Sequence, residues 1–284
     1  MSTKLTHPLL TEQYADAVDE VITLTNDIRR QAERLGPTEV RYLVDTYYQM
    51  QERRKASANQ ERSLLEANEP IALVDLFTAL DGFSELRVKQ MLQSYAEGKP
   101  ASAWAMSIRG IGPVIAAGLS AHIDITQAPT AGHIWRFAGL DPTVSWEKGK
   151  KRPHNAQLKV LSWKIGESFV KVSNHDEDIY GHVYAERKEL EIHRNELGLF
   201  ADQAKAKLER FKIGKDTDAY KAYSTGKLPP AHIHSRAKRY AVKLFLAHYH
   251  HVAYEVEYGT PPPKPYVIQH LQHAHYIAPP NWPM

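Results

Sequence analysis

Cysteine is absent from the 284 residues. That absence excludes disulfide frameworks, thiol nucleophiles and cysteine-based zinc sites together. No apolar run approaches the roughly 20 residues a membrane span requires. Met1 to Leu10 lacks the basic-then-apolar pattern of a secretion signal, so a soluble, cytoplasmic chain is expected. Sustained period-two alternation is missing as well, which argues against a sheet. Charge of one sign is scarce overall: 36 basic and 33 acidic residues leave a net +3, which names no partner. What remains is a near-average globular composition, 43% apolar and 24% charged, enough for one large domain or two modest ones.

The small total hides an uneven distribution. Met1 to Asp27 sums to −4, whereas Lys148 to Lys171 holds seven bases against Glu167 and sums to +6. A local block of that kind attracts phosphate whatever the whole-chain charge.

Almost every periodic stretch reads as helix. Val40, Leu43, Val44 and Tyr47 form one apolar stripe, and Leu158, Leu161, Ile165, Phe169 and Val172 another. Punctuation at Gly36-Pro37 predicts two long helices, Thr11–Leu35 and Thr38–Ala67. Ser84 as an N-cap type predicts two shorter ones, Ile71–Leu80 and Ser84–Glu97, with Gly98 and Pro100 as the stop. Asp141–Pro153 and Ile213–Pro230 read as irregular linkers, and seven prolines after Gly259 predict an extended tail. The expected architecture is all-α. It comprises a helical support or dimerisation region over 1–100, a second helical domain over 101–258 and a Pro/His-rich tail over 259–284.

The most informative stretch is Ser107-Ile108-Arg109-Gly110-Ile111-Gly112-Pro113-Val114-Ile115-Ala116-Ala117. Two glycines around an apolar residue, followed by a helix of small residues, make a helix-hairpin-helix pattern. Glycine permits a positive φ and lets backbone approach a ligand closely. Ile111 is expected to anchor the turn inward, and Pro113 suits a first helical position. Ala116 and Ala117 let the second helix lie close to the first, Ala101–Ile108. The free amides at such a helix start form an anion site that reads backbone and no base edge. The competing reading is a plain connecting turn.

Met106 through Ala117, continuing into Phe137-Ala138-Gly139-Leu140-Asp141-Pro142, resembles the C-terminal domain of the DEDD-type, bridge-RNA-guided insertion-sequence transposases. Lys148-Gly149-Lys150-Lys151-Arg152 corresponds to that family's basic loop, and Asn155 and Leu158 to the opening of its next helix. Ile179 to Arg187 resembles its tyrosine-arginine helix, and Ser235 to Lys243 its closing basic helix. The likeness spans about Trp104 to Tyr258, with an insertion near 191–230. It implies DNA binding, duplex or branched, and structured RNA as a further partner. It also implies a mobile-element setting, at a bacterial nucleoid or in a phage-infected cell.

The family's transposases carry a β-rich resolvase-like N-terminal domain with four acidic ligands, whereas residues 1–100 here read as helices. The family's nucleophilic serine follows its Gly-Leu-x-Pro sequence. Ser145 is the serine of this loop, at a departing spacing and with neither a base nor an oxyanion site evident. The expected function is therefore sequence-tolerant DNA binding, with no cofactor and no metal. The contacts expected are Arg109, Gly110, Ile111, Gly112, Pro113, Val114, Lys148, Lys150, Lys151, Arg152, Asn155, Arg236, Lys238, Arg239 and Lys243. Alternatives are a strand-transfer or nuclease enzyme, using Ser145 or acids from a partner, and a helical protein-interaction scaffold whose hairpin packs against protein; a homo-oligomer through the N-terminal helices is a further expected partnership.

Two other groups invite chemistry. His232/His234, His248/His250/His251 and His270/His273/His275 have spacings a metal accepts, but packing or polar roles fit better than a closed tetrahedral set. The acids Asp176, Glu177, Asp178, Glu186, Glu189 and Glu191 read as charge favouring a helix start rather than a two-ion nuclease site.

Overall fold

The computed structural model describes residues 7–9, 16, 26–263 and 277–283. Among them are eleven α-helices, one short 3-10 turn and no strand, so the fold is all-α. The chain divides into two units, 1–106 with 112–124, and 107–111 with 125–284. The hairpin turn is thus grouped with the second unit and its two helices with the first.

The first unit contains α1 (Asn26–Glu33), α2 (Pro37–Glu66), α3 (Ala72–Glu97), α4 (Pro100–Met106) and α5 (Pro113–His122). Most of the helix expected from Thr11 lies outside the described residues; α1 is its end. Pro37 opens α2, where its missing N–H costs nothing. Asn68, at φ +57°, closes it in the left-handed conformation that ends many helices. The two short helices expected around Ser84 are one helix, α3. Capping preference at Ser84 is overridden because Phe83, Glu85, Arg87 and Val88 are all buried there. Arg54 of α2 grips Glu85 at 2.6 Å, which rewards continuous helix across the expected break. Arg41 donates to the Ala121 carbonyl at 3.0 Å, placing positive charge at the C-terminus of α5. Trp104, Leu92 and Leu119 fill the core.

The second unit contains the 3-10 turn Ile125–Gln127, α6 (Ala131–Phe137), α7 (Ala156–Val172), α8 (Tyr180–Glu196), α9 (Ala201–Arg210), α10 (Asp218–Ser224) and α11 (Pro230–Tyr258). The long α11 is the spine on which α6, α7 and α8 pack. Its centre is aromatic: Phe169 stacks on Tyr180 at 4.9 Å, and Phe245 meets both edge-on at 5.5 and 5.3 Å. His248 completes that core. Its Nε2–H donates to the Ile277 carbonyl at 2.9 Å, which leaves Nδ1 to accept from the Tyr180 hydroxyl at 2.7 Å. Burial holds this imidazole neutral, with its pKa down to about 4.

The stretch Ile213–Pro230, expected to be irregular, contains α10, whose start is capped by Thr217. With α9 it builds a satellite core of Phe200, Ala204, Leu228 and Ile233, so the stretch 191–230, expected as an insertion, is largely folded. Of the expected tail, residues 264–276 lie outside the described residues, and His270, His273 and His275 with them. The described end returns to α11, where the Trp282 indole donates to Glu255 at 2.7 Å.

Candidate nucleic-acid interface

The hairpin is built from local rules. Ile108 accepts the Ile111 amide at 2.9 Å, closing the turn, and Ile111 is only 4% exposed, the inward anchor expected. Gly110 has φ +91°, where a side chain is strained. Its carbonyl accepts from the Ser168 hydroxyl of α7, and an added Cβ would meet Ser168 and Val172, each at 3.2 Å. Gly112 differs. It is exposed, sits at φ −94° and would place a Cβ in open space. Pro113 follows at the first helical position, and the Ala116 amide is the first to bond back, to Gly112 at 3.0 Å. The Val114 and Ile115 amides therefore have no intrahelical acceptor, and Gly112 has no side chain to cap them. Val114 itself is buried; only its backbone suits a ligand. In the first unit, the Ser102 hydroxyl donates to the Ala116 carbonyl at 3.3 Å, the close helix approach that small residues allow.

Arg109 is held within the second unit by Glu177 at 3.2 Å and by the His175 ring nitrogen at 3.1 Å. Both members of the ion pair are well exposed, so it contributes at most about 1 kcal/mol and an arriving phosphate competes with it.

The basic loop, 141–153, is the second element. Lys148, Lys150, Lys151 and Arg152 are all exposed. Asp141 shapes its entry by accepting the Thr143 amide at 2.9 Å. Trp146 ties its middle, donating to the Lys150 carbonyl at 2.7 Å while the Arg152 guanidinium lies 5.7 Å from its ring centroid. Lys150 also pairs with Glu147 at 2.9 Å. At the exit the Asn155 amide donates to Phe137 and its side chain caps α7 by accepting from Leu158, so Asn155 organises the loop's end. Ser145 is exposed in the same loop.

The cations of α11 part company. Arg236 donates to buried Glu191 at 2.7 Å and to Gln203 at 3.1 Å. Lys238 is buried and ion-paired with Glu167. Lys243 lies 4.2 Å from the Trp135 ring centroid, its pKa pulled down by burial against the opposing charge of Asp141. Arg239 is exposed.

Residues 102–162 match the transposase IS116/IS110/IS902 family. A segment of the chain is therefore similar to these transposases. That segment takes in the hairpin, the basic loop, Ser145 and Asn155. The looser likenesses over Ile179–Arg187 and Ser235–Lys243 lie outside it. Comparison with curated proteins and with solved structures gave no match. Residues 26–106, up to and into the matched segment, are helices and their links, as read from the sequence.

His232, His234, His250, His251 and Asp178 have structural partners. His232 meets the Tyr223 hydroxyl, His234 the Tyr184 hydroxyl, and His251 pairs with Glu255. His250 donates to the Ala128 carbonyl at 2.8 Å. Asp178 accepts the His182 amide at the start of α8, the helix-start role expected for the acid run. Among the described residues no three His, Asp or Glu side chains converge as metal ligands, and no helix is long and apolar enough to cross a membrane. Sequence reasoning missed the cluster that Arg187 and Arg194 make around Glu191, and only their spacing from it along α8 signalled this.

Proposed function

We propose that this transposase relative binds the sugar-phosphate backbone of DNA without reading sequence. The observation that carries this is the coincidence, inside residues 102–162, of an uncapped helix start behind exposed Gly112 and a fully exposed basic loop. The Val114 and Ile115 amides receive phosphate oxygens, while Lys148, Lys150, Lys151 and Arg152 supply the attraction. Arg109, Arg239 and Lys243 add to the field. Arg236 and Lys238 serve it mainly through the structure they stabilise, since each already has a carboxylate partner.

Gly112→Ala is the clean test of the hairpin. The extended φ and open surroundings predict a variant as stable as the parent to within about 1 kcal/mol. Its methyl group blocks phosphate approach, so affinity for duplex DNA is expected to fall several-fold in an anisotropy titration. Unchanged affinity reduces the hairpin to a turn. Replacing Lys148, Lys150, Lys151 and Arg152 with alanine is expected to flatten the salt dependence by roughly one unit per lost phosphate contact. A slope that does not change overturns the loop's role. Glu177→Gln releases Arg109 and is expected to tighten duplex binding about two- to threefold at low salt, a gain screened at high salt; weaker binding contradicts the competition described above.

A further inference from the structure

Trp163 is 55% exposed on α7 and has no part in the backbone contacts proposed above. Its surroundings are cationic. The Lys238 amine lies 5.3 Å and the Lys164 amine 6.0 Å from its ring centroid. Lys159, one turn earlier on α7, is exposed. The arrangement is held in place. Gly166 leaves a channel in which the Lys238 stem lies, so close that an added Cβ would meet its Cγ at 2.5 Å. The buried amine then lies beside the indole and pairs with Glu167, which uses up the one acid of the stretch from Lys148 to Lys171.

A large aromatic side chain more than half exposed among cations fits an unstacked nucleobase flanked by phosphates. It does not fit an intact duplex, whose base faces are covered by their neighbours. The local charge favours a polyanion over a basic or neutral protein surface.

We propose that Trp163 is a stacking platform for an unpaired base of single-stranded nucleic acid, with Lys159 and Lys164 attracting the adjoining phosphates. This extends the function proposed above from backbone to base and rests on it only in taking nucleic acid as the ligand.

The test uses the full chain, with a short oligodeoxythymidine, its oligouridine counterpart, an abasic strand of equal length and a blunt duplex. Trp163→Ala is expected to weaken binding to the thymidine or uridine strand about tenfold while duplex affinity stays within about twofold. Trp163→Phe keeps a ring and is expected to restore most of the loss. The parent is expected to bind the abasic strand as weakly as Trp163→Ala binds the thymidine strand. The thymidine and uridine arms decide between DNA and RNA as the source of the base. Equal affinity of parent and Trp163→Ala for both strands overturns the proposal. So does a parent that fails to distinguish abasic from thymidine, or self-association that Trp163→Ala abolishes. Where duplex binding survives those results, the platform falls and backbone binding stands; where no nucleic acid binds, both fall.

Discussion

Glu191→Ala is expected to destabilise the second unit by about 3–5 kcal/mol, the range for removing one partner of a buried ion pair. Glu191 is 0% exposed, and three arginines address its carboxylate: Arg187 at 2.5 Å, Arg236 at 2.7 Å and Arg194 at 3.9 Å. Without it these guanidiniums face one another across a partly dry site. The neighbourhood is already short of negative charge. His232 is depressed to about 4, first by burial and then by the charges of Lys207, Arg239 and Arg236. Urea unfolding at neutral pH measures the loss, and a change under about 1 kcal/mol contradicts this account. Arg236→Ala is expected to cost less, since Arg187 still faces the carboxylate.

The same cluster sets an acid sensitivity with a definite sign. Burial raises the Glu191 carboxyl, but the hydrogen bond and charge of Arg236 and the charge of Arg187 outweigh it, leaving the pKa below the ordinary value. A depressed carboxylate contributes stability that is present above the unfolded pKa and is lost as pH falls through the folded one. His232 and His248, both near 4, act in the same direction: the unfolded chain binds protons first as pH falls below 6.5. The urea midpoint is therefore expected to decline from about pH 6.5 downward, and Glu191→Ala removes only the lowest-pH part of the decline.

Gly181→Ala is the second large effect, and its sign opposes helix propensity. Alanine in place of glycine inside a helix ordinarily gains up to about 1 kcal/mol. Here an added Cβ would lie 2.6 Å from Ser173 Cα and 2.7 Å from the Phe169 carbonyl, against the Asp178 carboxylate as well. Two of those three neighbours are backbone, so they yield only by separating α7 from α8. A loss of about 3 kcal/mol, the upper end for overpacking, is expected in thermal or urea unfolding. A stabilised variant contradicts the close approach described.

Helix boundaries set by neighbouring residues were legible. Pro37, Gly98, Pro113 and Asn155 each act within one turn of themselves, and the observed helices begin or end beside them. The tight turn over Gly110, Ile111 and Gly112 was legible for the same reason, because these residues carry their geometry locally. The break expected at Ser84 was misread, because capping preference is weak beside the burial of Phe83 and the grip of Arg54 on Glu85. Glu191 read as charge favouring a helix start, and Lys238 as a DNA contact. Each is buried because its partner arrives from a distant stretch of chain, Arg236 for one and Glu167 for the other.

The all-α class, the helix starts and the basic block of residues 148–171 follow from the residues in order, because a 3.6-residue period, a proline or a run of lysines acts on its immediate neighbours. Tertiary structure alone decided which cations remain exposed and which are spent on carboxylate partners. It likewise decided that Gly112 is open while Gly110 is packed, and that Trp163 faces solvent. Those outcomes depend on which helices meet, and burial and pairing across such meetings are set by residues far apart in the chain.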